Sequence, residues 1–347
     1  MNLNFSRGQH ESQVSTEGES GLREYSRQCS KHPGHADFIS VKDFTMQHLP
    51  ENHRDPDLFQ LIKCAAELTV RIIVGTVSPH RPEFWPDTNQ PYPFYDMRGK
   101  EVTTTGSGEI SVFKFINGAG FDGRGSPIDQ LGNKYVREYT TCPCKSCRKS
   151  ETPSNAWWEI IVYTASHVVF DEIEARQTSC RMFYDDEESP AEILSPMTLD
   201  YVNKDREVCI LKHWTCQQLG QRLYDMAQHK FTLRQKLWDK YKVVPDDNLN
   251  FIISHPHGCF KTICIGKWMD NIKISERSQE FNFTRLTYTT PTCPGSSGAW
   301  VHCVAFGGDH VHFGAFQPGL NISCTGLFRK QPLNASNSAS GSSDQKS

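Results

Sequence analysis

Over most of its length the chain places apolar residues in runs too short for anything but strands. Residues 1 to about 40 differ: they are rich in Ser, Glu, Gln and Gly with few large apolar groups. Such a composition cannot offset the entropy of ordering, and it predicts a disordered N-terminal tail over 1–40. The same composition returns over 331–347, which reads as a disordered C-terminal tail. Between 41 and 67 the pattern predicts a helical lead-in. Leu58, Phe59, Ile62, Ala65, Ala66 and Leu68 recur at helical spacing, with Asp55 placed as the cap and Pro56 in the first turn. Residues 68–74 then read as a strand.

Beyond it, β-branched and aromatic runs at 110–116, 157–163, 208–211, 251–254, 262–265, 281–288, 300–304 and 311–313 alternate with Gly/Pro turns. Many short strands with turn signals between them predict a mainly β chain, a sandwich or barrel. Only 217–241 breaks the pattern, because Leu219, Leu223, Met226, Ala227, Leu233, Leu237 and Tyr241 return at helical spacing, as one long helix or two short ones. The expected organisation is a first β unit over 68–216, a helical connector over 217–245 and a second β unit over 246–330.

Composition narrows the function. The 347 residues carry 37 Lys plus Arg against 40 Asp plus Glu, so no global basic field exists to recruit nucleic acid or anionic lipid. Lysines 230, 236, 240 and 242 with Arg234 make the connector locally basic, which reads as a solvated face. The N-terminus lacks the apolar run of a secretory signal, and no run approaches the length of a membrane span. The expectation is a cytoplasmic protein with reduced thiols. The 13 cysteines are then the odd feature of the composition.

Acyl transfer by a serine needs an imidazole to take the hydroxyl proton, a carboxylate to orient it, and backbone amides aimed at the developing oxyanion. Thr292-Cys293-Pro294-Gly295-Ser296-Ser297-Gly298 has the form of such a nucleophile segment, and Thr164-Ala165-Ser166-His167 sets a histidine just after an apolar strand. Thr-Ala-x-His followed much later by Gly-x-Ser-Gly resembles the trypsin/chymotrypsin superfamily of serine proteases, over roughly 68–327. His255-Pro256-His257-Gly258 is similar to the opening of the second barrel in bacterial and viral members. The chain also looks like a eukaryotic group of trypsin-like proteins sharing CPCxxC, HPHG and CPGSSG segments.

The resemblance implies a chymotrypsin-like double β-barrel with a helical insert between the barrels, acting as an endopeptidase on protein or peptide substrates with no cofactor needed for catalysis. It implies Ser297 as nucleophile, His167 as general base, and the amides of Gly295 and Ser297 as oxyanion hole. For the acid it points to the position before the strand at 208–211, which is Glu207. Asp205 lies two residues earlier on the same face of an extended chain, and Glu207 is favoured narrowly over it. An inactive member of the fold, serving as a peptide-binding module, is the alternative.

Arg71-Ile72-Ile73-Val74-Gly75 resembles a trypsin activation site, but Ser296 stands where that family has the Asp that receives the new ammonium. An unpaired buried ammonium is strongly unfavourable, so 68–74 is expected to be an ordinary strand. Pro291 occupies the place of the Asp that marks cleavage after Lys or Arg. Thr292 and His312 resemble instead the S1 pair of glutamyl endopeptidases and picornaviral processing proteases, which accept Glu or Gln. Both side chains can donate to a side-chain oxygen.

Cys142, Cys144 and Cys147 gather three thiols within six positions. Such a cluster suits a structural zinc, which takes four ligands. The fourth would come from Cys180, Cys216 or a histidine, a choice that spacing leaves open.

Overall fold

A computed structural model of the chain describes residues 8–122, 139–242, 247–304 and 307–330. Two antiparallel sheets divide the strands between them. In the first, the long strand Thr103–Ile116 lies between Thr69–Val74 and Ala156–Ala165, and Val208–Thr215 pairs with the latter. In the second, Leu249–Ser254, Thr262–Glu276 and Phe281–Tyr288 follow one another as neighbours. Leu320–Ser323 and His312–Gln317 continue that sheet beyond Phe281–Tyr288, while Val301–Cys303 closes on Leu249–Ser254. The chain is thus a mainly β, chymotrypsin-like double β-barrel.

Alternation explains the inward faces. Val70, Ile72 and Val74 on one strand, Ile110 and Val112 on the next, and Ile160 and Val162 on the third fill one core. Successive side chains of a strand point to opposite faces, and burying each large aliphatic one contributes roughly 1.5–3 kcal/mol. Phe313 and Ile322 of the second sheet, with Val311 just before its strand His312–Gln317, join the same core. The two barrels therefore meet in apolar contact at the level of the cleft.

Helix α2, Pro56–Leu68, starts where the pattern put it: the Asp55 carboxylate accepts from the amides of Asp57 (2.7 Å) and Leu58 (3.4 Å). Its buried face of Leu58, Leu61, Ile62 and Ala65 packs with Leu233, Leu237 and Tyr241 of the long helix Gln218–Tyr241. The helix Gln218–Tyr241 is continuous and touches both barrels. Leu223 and Tyr224 enter the first core, Leu233 and Leu237 a second one. Lys230 pairs with Glu109 of the first sheet and Arg234 with Asp309 of the second.

The expected disorder of 1–40 does not hold from residue 8 onward. Gln9–His10 pairs with His312–Gln317, Gln13–Ser15 with Thr103–Ile116, and Ile39–Ser40 with Thr262–Glu276. Helix α1, Glu19–Arg27, buries Leu22. Order here comes from main-chain bonding to existing strand edges, which needs few apolar side chains. The expected tail over 331–347 lies outside the described residues. Arg71 sits within Thr69–Val74, paired on both sides, with Nη2 2.7 Å from Glu19.

Candidate active site

The nucleophile segment lies between the strands Phe281–Tyr288 and Val301–Cys303. Gly295 has φ 99°, and a Cβ there would meet the main-chain oxygen of His255 at 2.5 Å. Only glycine satisfies both conditions, and the turn it permits aims the amides of Gly295 and Ser297 at one point. Ser296 is buried with its Oγ 2.9 Å from that of Ser254. That position is a hydroxyl pair rather than a carboxylate awaiting a cation.

His167 follows the strand Ala156–Ala165, and its Nε2 lies 2.9 Å from Ser297 Oγ. The structure thus brings together two residues 130 positions apart. Burial, then the charges of His10, Arg81 and His312, push the imidazole pKa well below its ordinary value. A neutral ring is the form that can accept the hydroxyl proton. Three rings surround it edge-on, Phe313 at 4.9 Å, His10 at 5.9 Å and Trp85 at 6.4 Å between centroids. Arg81 donates through Nη1 to the main-chain oxygen of His167 (3.1 Å) while its Nε and Nη2 grip Glu174 at 2.7 Å each.

The candidate acids fare differently. Glu207 occupies the place immediately before the strand Val208–Thr215, is buried, and its main-chain oxygen accepts from Ser166 N. Its φ of 63° is unusual for a residue with a side chain, and Oε1 accepts from Arg285 Nη2 at 3.3 Å. Asp205 is exposed on the preceding turn. Among the described residues, Nδ1 of His167 makes no hydrogen bond. The expected acid–imidazole contact is therefore absent from this arrangement for both carboxylates, because Glu207 faces a buried guanidinium and Asp205 faces solvent.

The cleft is filled by the N-terminal segment. The carbonyl oxygen of Glu11 accepts from Gly295 N (2.5 Å) and Ser297 N (3.2 Å), and Glu11 N donates to Ser297 Oγ (2.9 Å). Its carboxylate enters a pocket where Oε2 lies 2.7 Å from His312 Nε2 and Oε1 is paired with Lys31. Lys31 also reaches Asn321 Oδ1 (3.4 Å) and Thr292 Oγ1 (3.5 Å). His312 Nδ1 lies 2.6 Å from the Tyr288 hydroxyl, which fixes the ring. Burial alone would raise the Glu11 carboxyl, but His312 and Lys31 outweigh it and hold the pKa at about 2. The pocket thus takes an ionised carboxylate.

Lys31 and Arg81 had no place in the expectation from the sequence, and Phe313 figured there only within the strand at 311–313. The signal for Lys31 was present, since Cys29, His32 and His35 crowd around it in a stretch assigned to a tail. So dense a run of ligand-type residues points to a fastened segment.

Among the described residues, two groups of side chains can hold a metal. The ligand atoms of Cys142, Cys144, Cys147 and Cys216 lie within 4.8 Å of one another, and so do those of Cys29, His35, His257 and Cys293. Cys180, the other cysteine weighed for the first group, is buried in the core of the first sheet.

No family model and no curated protein matches the chain. Among solved structures it is similar to the Rv3671c protease from M. tuberculosis in its active form. That likeness has a TM-score of 0.36 and 12% identity, covering 78% of this chain and 82% of that one. It is also similar to the HtrA-type protease AlgW with a decapeptide, with a TM-score of 0.36 and 12% identity over 76% of this chain and 62% of that one. The double β-barrel of this chain rests on its own two sheets. Among the described residues no helix is long and apolar enough to cross a membrane.

Proposed function

We propose that the chain is a serine endopeptidase that cuts protein or peptide substrates after Glu through an acyl-enzyme. The observation that carries this is Glu11, whose carbonyl oxygen meets the amides of Gly295 and Ser297 while its carboxylate meets His312 and Lys31. Ser297 Oγ attacks the carbonyl carbon as its proton passes to His167 Nε2, and the two amides receive the charge developing on oxygen. The same proton then goes to the leaving amine. Water repeats the sequence on the ester. Two cationic or donor groups on the two carboxylate oxygens favour Glu over Gln, because an amide nitrogen would face a donor.

An inactive peptide-binding module would also fill its cleft. What favours catalysis is the 2.9 Å Ser297–His167 contact, which peptide binding alone does not need. The test is a fluorophosphonate probe applied to the Glu11→Lys chain, whose segment is repelled by Lys31. Labelling at Ser297 that disappears with His167→Ala supports the enzyme; no labelling of folded protein supports the module.

Base catalysis is assigned to a His167–Ser297 pair held by its aromatic surround and by Arg81. Glu207→Gln is then expected to lower kcat by less than about tenfold, against the roughly 10⁴-fold that loss of an imidazole-bound carboxylate brings. A loss of that larger size would return Glu207 to His167, and Asp205→Ala serves as the silent control.

Cys142, Cys144, Cys147 and Cys216 are proposed to hold a structural zinc, with Cys216 as fourth ligand. Its Sγ lies 3.5 Å from that of Cys147 and 3.9 Å from that of Cys144, near the edge of about 3.8 Å in a zinc–thiolate tetrahedron with bonds of about 2.3 Å. Such a site favours a reducing compartment such as the cytoplasm. Metal analysis is expected to find one zinc fewer in Cys216→Ser than in wild type, with hydrolysis retained. Equal zinc content would remove the assignment.

A further inference from the structure

The segment in the cleft crosses the catalytic residues in the manner of a substrate on both sides of one bond. Before it, Gln9 pairs with Ala315 and His10 with Gly314, and Glu11 N lies 3.4 Å from Phe313 O. Gly314 makes this possible, since a Cβ there would stand 1.9 Å from the main-chain oxygen of Gln9. After it, Gln13 pairs with Thr105 and Val14 with Thr104 in the other barrel. Glu11 and Ser12 are both buried, and the bond between them is held at the nucleophile by contacts to both sheets.

The geometry points to the Glu11–Ser12 peptide bond as the enzyme's first substrate, cut within the same chain. This rests on the endopeptidase proposed above and adds its self-processing. Ser297 Oγ bonds to the Glu11 carbonyl carbon, and the hydroxyl proton moves to His167. The C–N bond then breaks and the Ser12 nitrogen leaves as an amine with that proton. One water hydrolyses the Glu11 ester, releasing its carboxylate and restoring Ser297. Until the residues up to Glu11 depart, the cleft is closed to any other peptide.

Intact-mass measurement tests this directly. Wild type is expected to accumulate a species beginning at Ser12 at a rate independent of protein concentration. Ser297→Ala and Glu11→Lys should remain whole. Glu11→Lys should still react with the fluorophosphonate at Ser297. An uncut wild type beside a labelled Glu11→Lys chain overturns self-processing and leaves the endopeptidase standing; an uncut wild type beside an unlabelled one overturns both. A rate proportional to concentration would overturn cutting within the chain.

A different observation carries a second proposal. Behind the Glu11 pocket, Cys29 Sγ lies 3.6 Å from Cys293 Sγ, and Cys293 Sγ lies 3.6 Å from His35 Nε2. Zinc bonds of about 2.3 Å to sulfur and 2.0 Å to nitrogen make a tetrahedron with S···S edges of about 3.8 Å and S···N edges of about 3.5 Å. His257 is 3% exposed, its Nε2 has no hydrogen-bond partner, and its Nδ1 lies 3.1 Å from Gln13 Oε1. A ring fixed through one nitrogen with the other left bare is the usual state of a metal-ligating histidine.

We infer that Cys29, His35, His257 and Cys293 bind a second zinc. It ties the N-terminal segment to the nucleophile segment, and because Lys31 lies between two of the ligands, it holds that lysine in the pocket. It also retains the chain beyond Ser12 on the enzyme after the cut. Elemental analysis is expected to find one zinc fewer than wild type in both Cys29→Ser and His35→Gln. Cobalt(II) alone, added to metal-stripped protein, should give a tetrahedral thiolate spectrum that weakens in both variants and keeps a second component removed by Cys142→Ser. Wild-type zinc content and an unchanged cobalt spectrum in Cys29→Ser and His35→Gln would overturn the site.

Discussion

Ser297→Ala is expected to reduce peptide cleavage by at least about 10⁴-fold, and His167→Ala by a similar factor, with the double variant scarcely worse than either. The two side chains work as one unit: the serine is a poor nucleophile until the imidazole takes its proton, and the imidazole has no reaction to assist without the serine. Losses in such a unit do not add. What remains is the stabilisation by the amides of Gly295 and Ser297, which neither substitution removes. Ser297→Ala loses a small polar contact in a buried place, so its folding stability is expected to change by about 1–3 kcal/mol. His167→Ala also empties a ring-sized space beside Phe313, His10 and Trp85 and is expected to cost more. Kinetics on a Glu-containing peptide with melting curves in parallel checks the claim. Independent, multiplying losses would show that the two do not act together.

The second large effect belongs to the pocket. His312→Leu is expected to lower kcat/KM for a Glu substrate by about a hundredfold or more. The substitution leaves a buried carboxylate oxygen without its donor, and breaking one side of a buried pair costs about 3 kcal/mol or more, where each 1.36 kcal/mol is tenfold. A Gln substrate should lose less, because a neutral amide needs less compensation. The ratio of Glu to Gln cleavage is therefore the telling quantity. Lys31→Met should move it in the same direction by a smaller factor, since that side chain is a third exposed to water, which screens it. Matched peptides differing only at the residue before the scissile bond give the measurement. An unchanged ratio in both variants would place Glu recognition elsewhere.

Much of the architecture was legible in the hydrophobic pattern. The cap at Asp55, the strand at 281–288 and the helical character of 217–241 arise from local signals, namely a carboxylate before a proline, alternation, and helical spacing, although the spacing left one long helix or two short ones open. The segment over 8–40 was not legible. Its order comes from main-chain bonds to strands far along the chain, and composition carries no trace of those. Only the crowding of Cys29, Lys31, His32 and His35 hinted that this stretch is fastened.

The site divides in the same way. His167, Ser297 and His312 stand in recognisable local settings, and the structure brings all three around Glu11. Glu207 was placed by its position before a strand, and its backbone is there. Its carboxylate is turned by a positive φ toward Arg285, a partner 78 residues away that no local pattern announces. Among the cysteines, spacing found the cluster at Cys142 but could not choose its fourth member. That needed the strand Val208–Thr215, which ends beside the cluster and delivers Cys216.

The central claim is cleavage after Glu by Ser297. Its most direct test is to incubate a peptide library of proteome origin with the Glu11→Lys chain, and with the same chain also carrying Ser297→Ala, and to locate every new terminus by mass spectrometry. The account predicts new C-termini concentrated on Glu in the first reaction and none above background in the second. Cuts spread over basic or large apolar residues, or cuts that persist without the Ser297 hydroxyl, would contradict it.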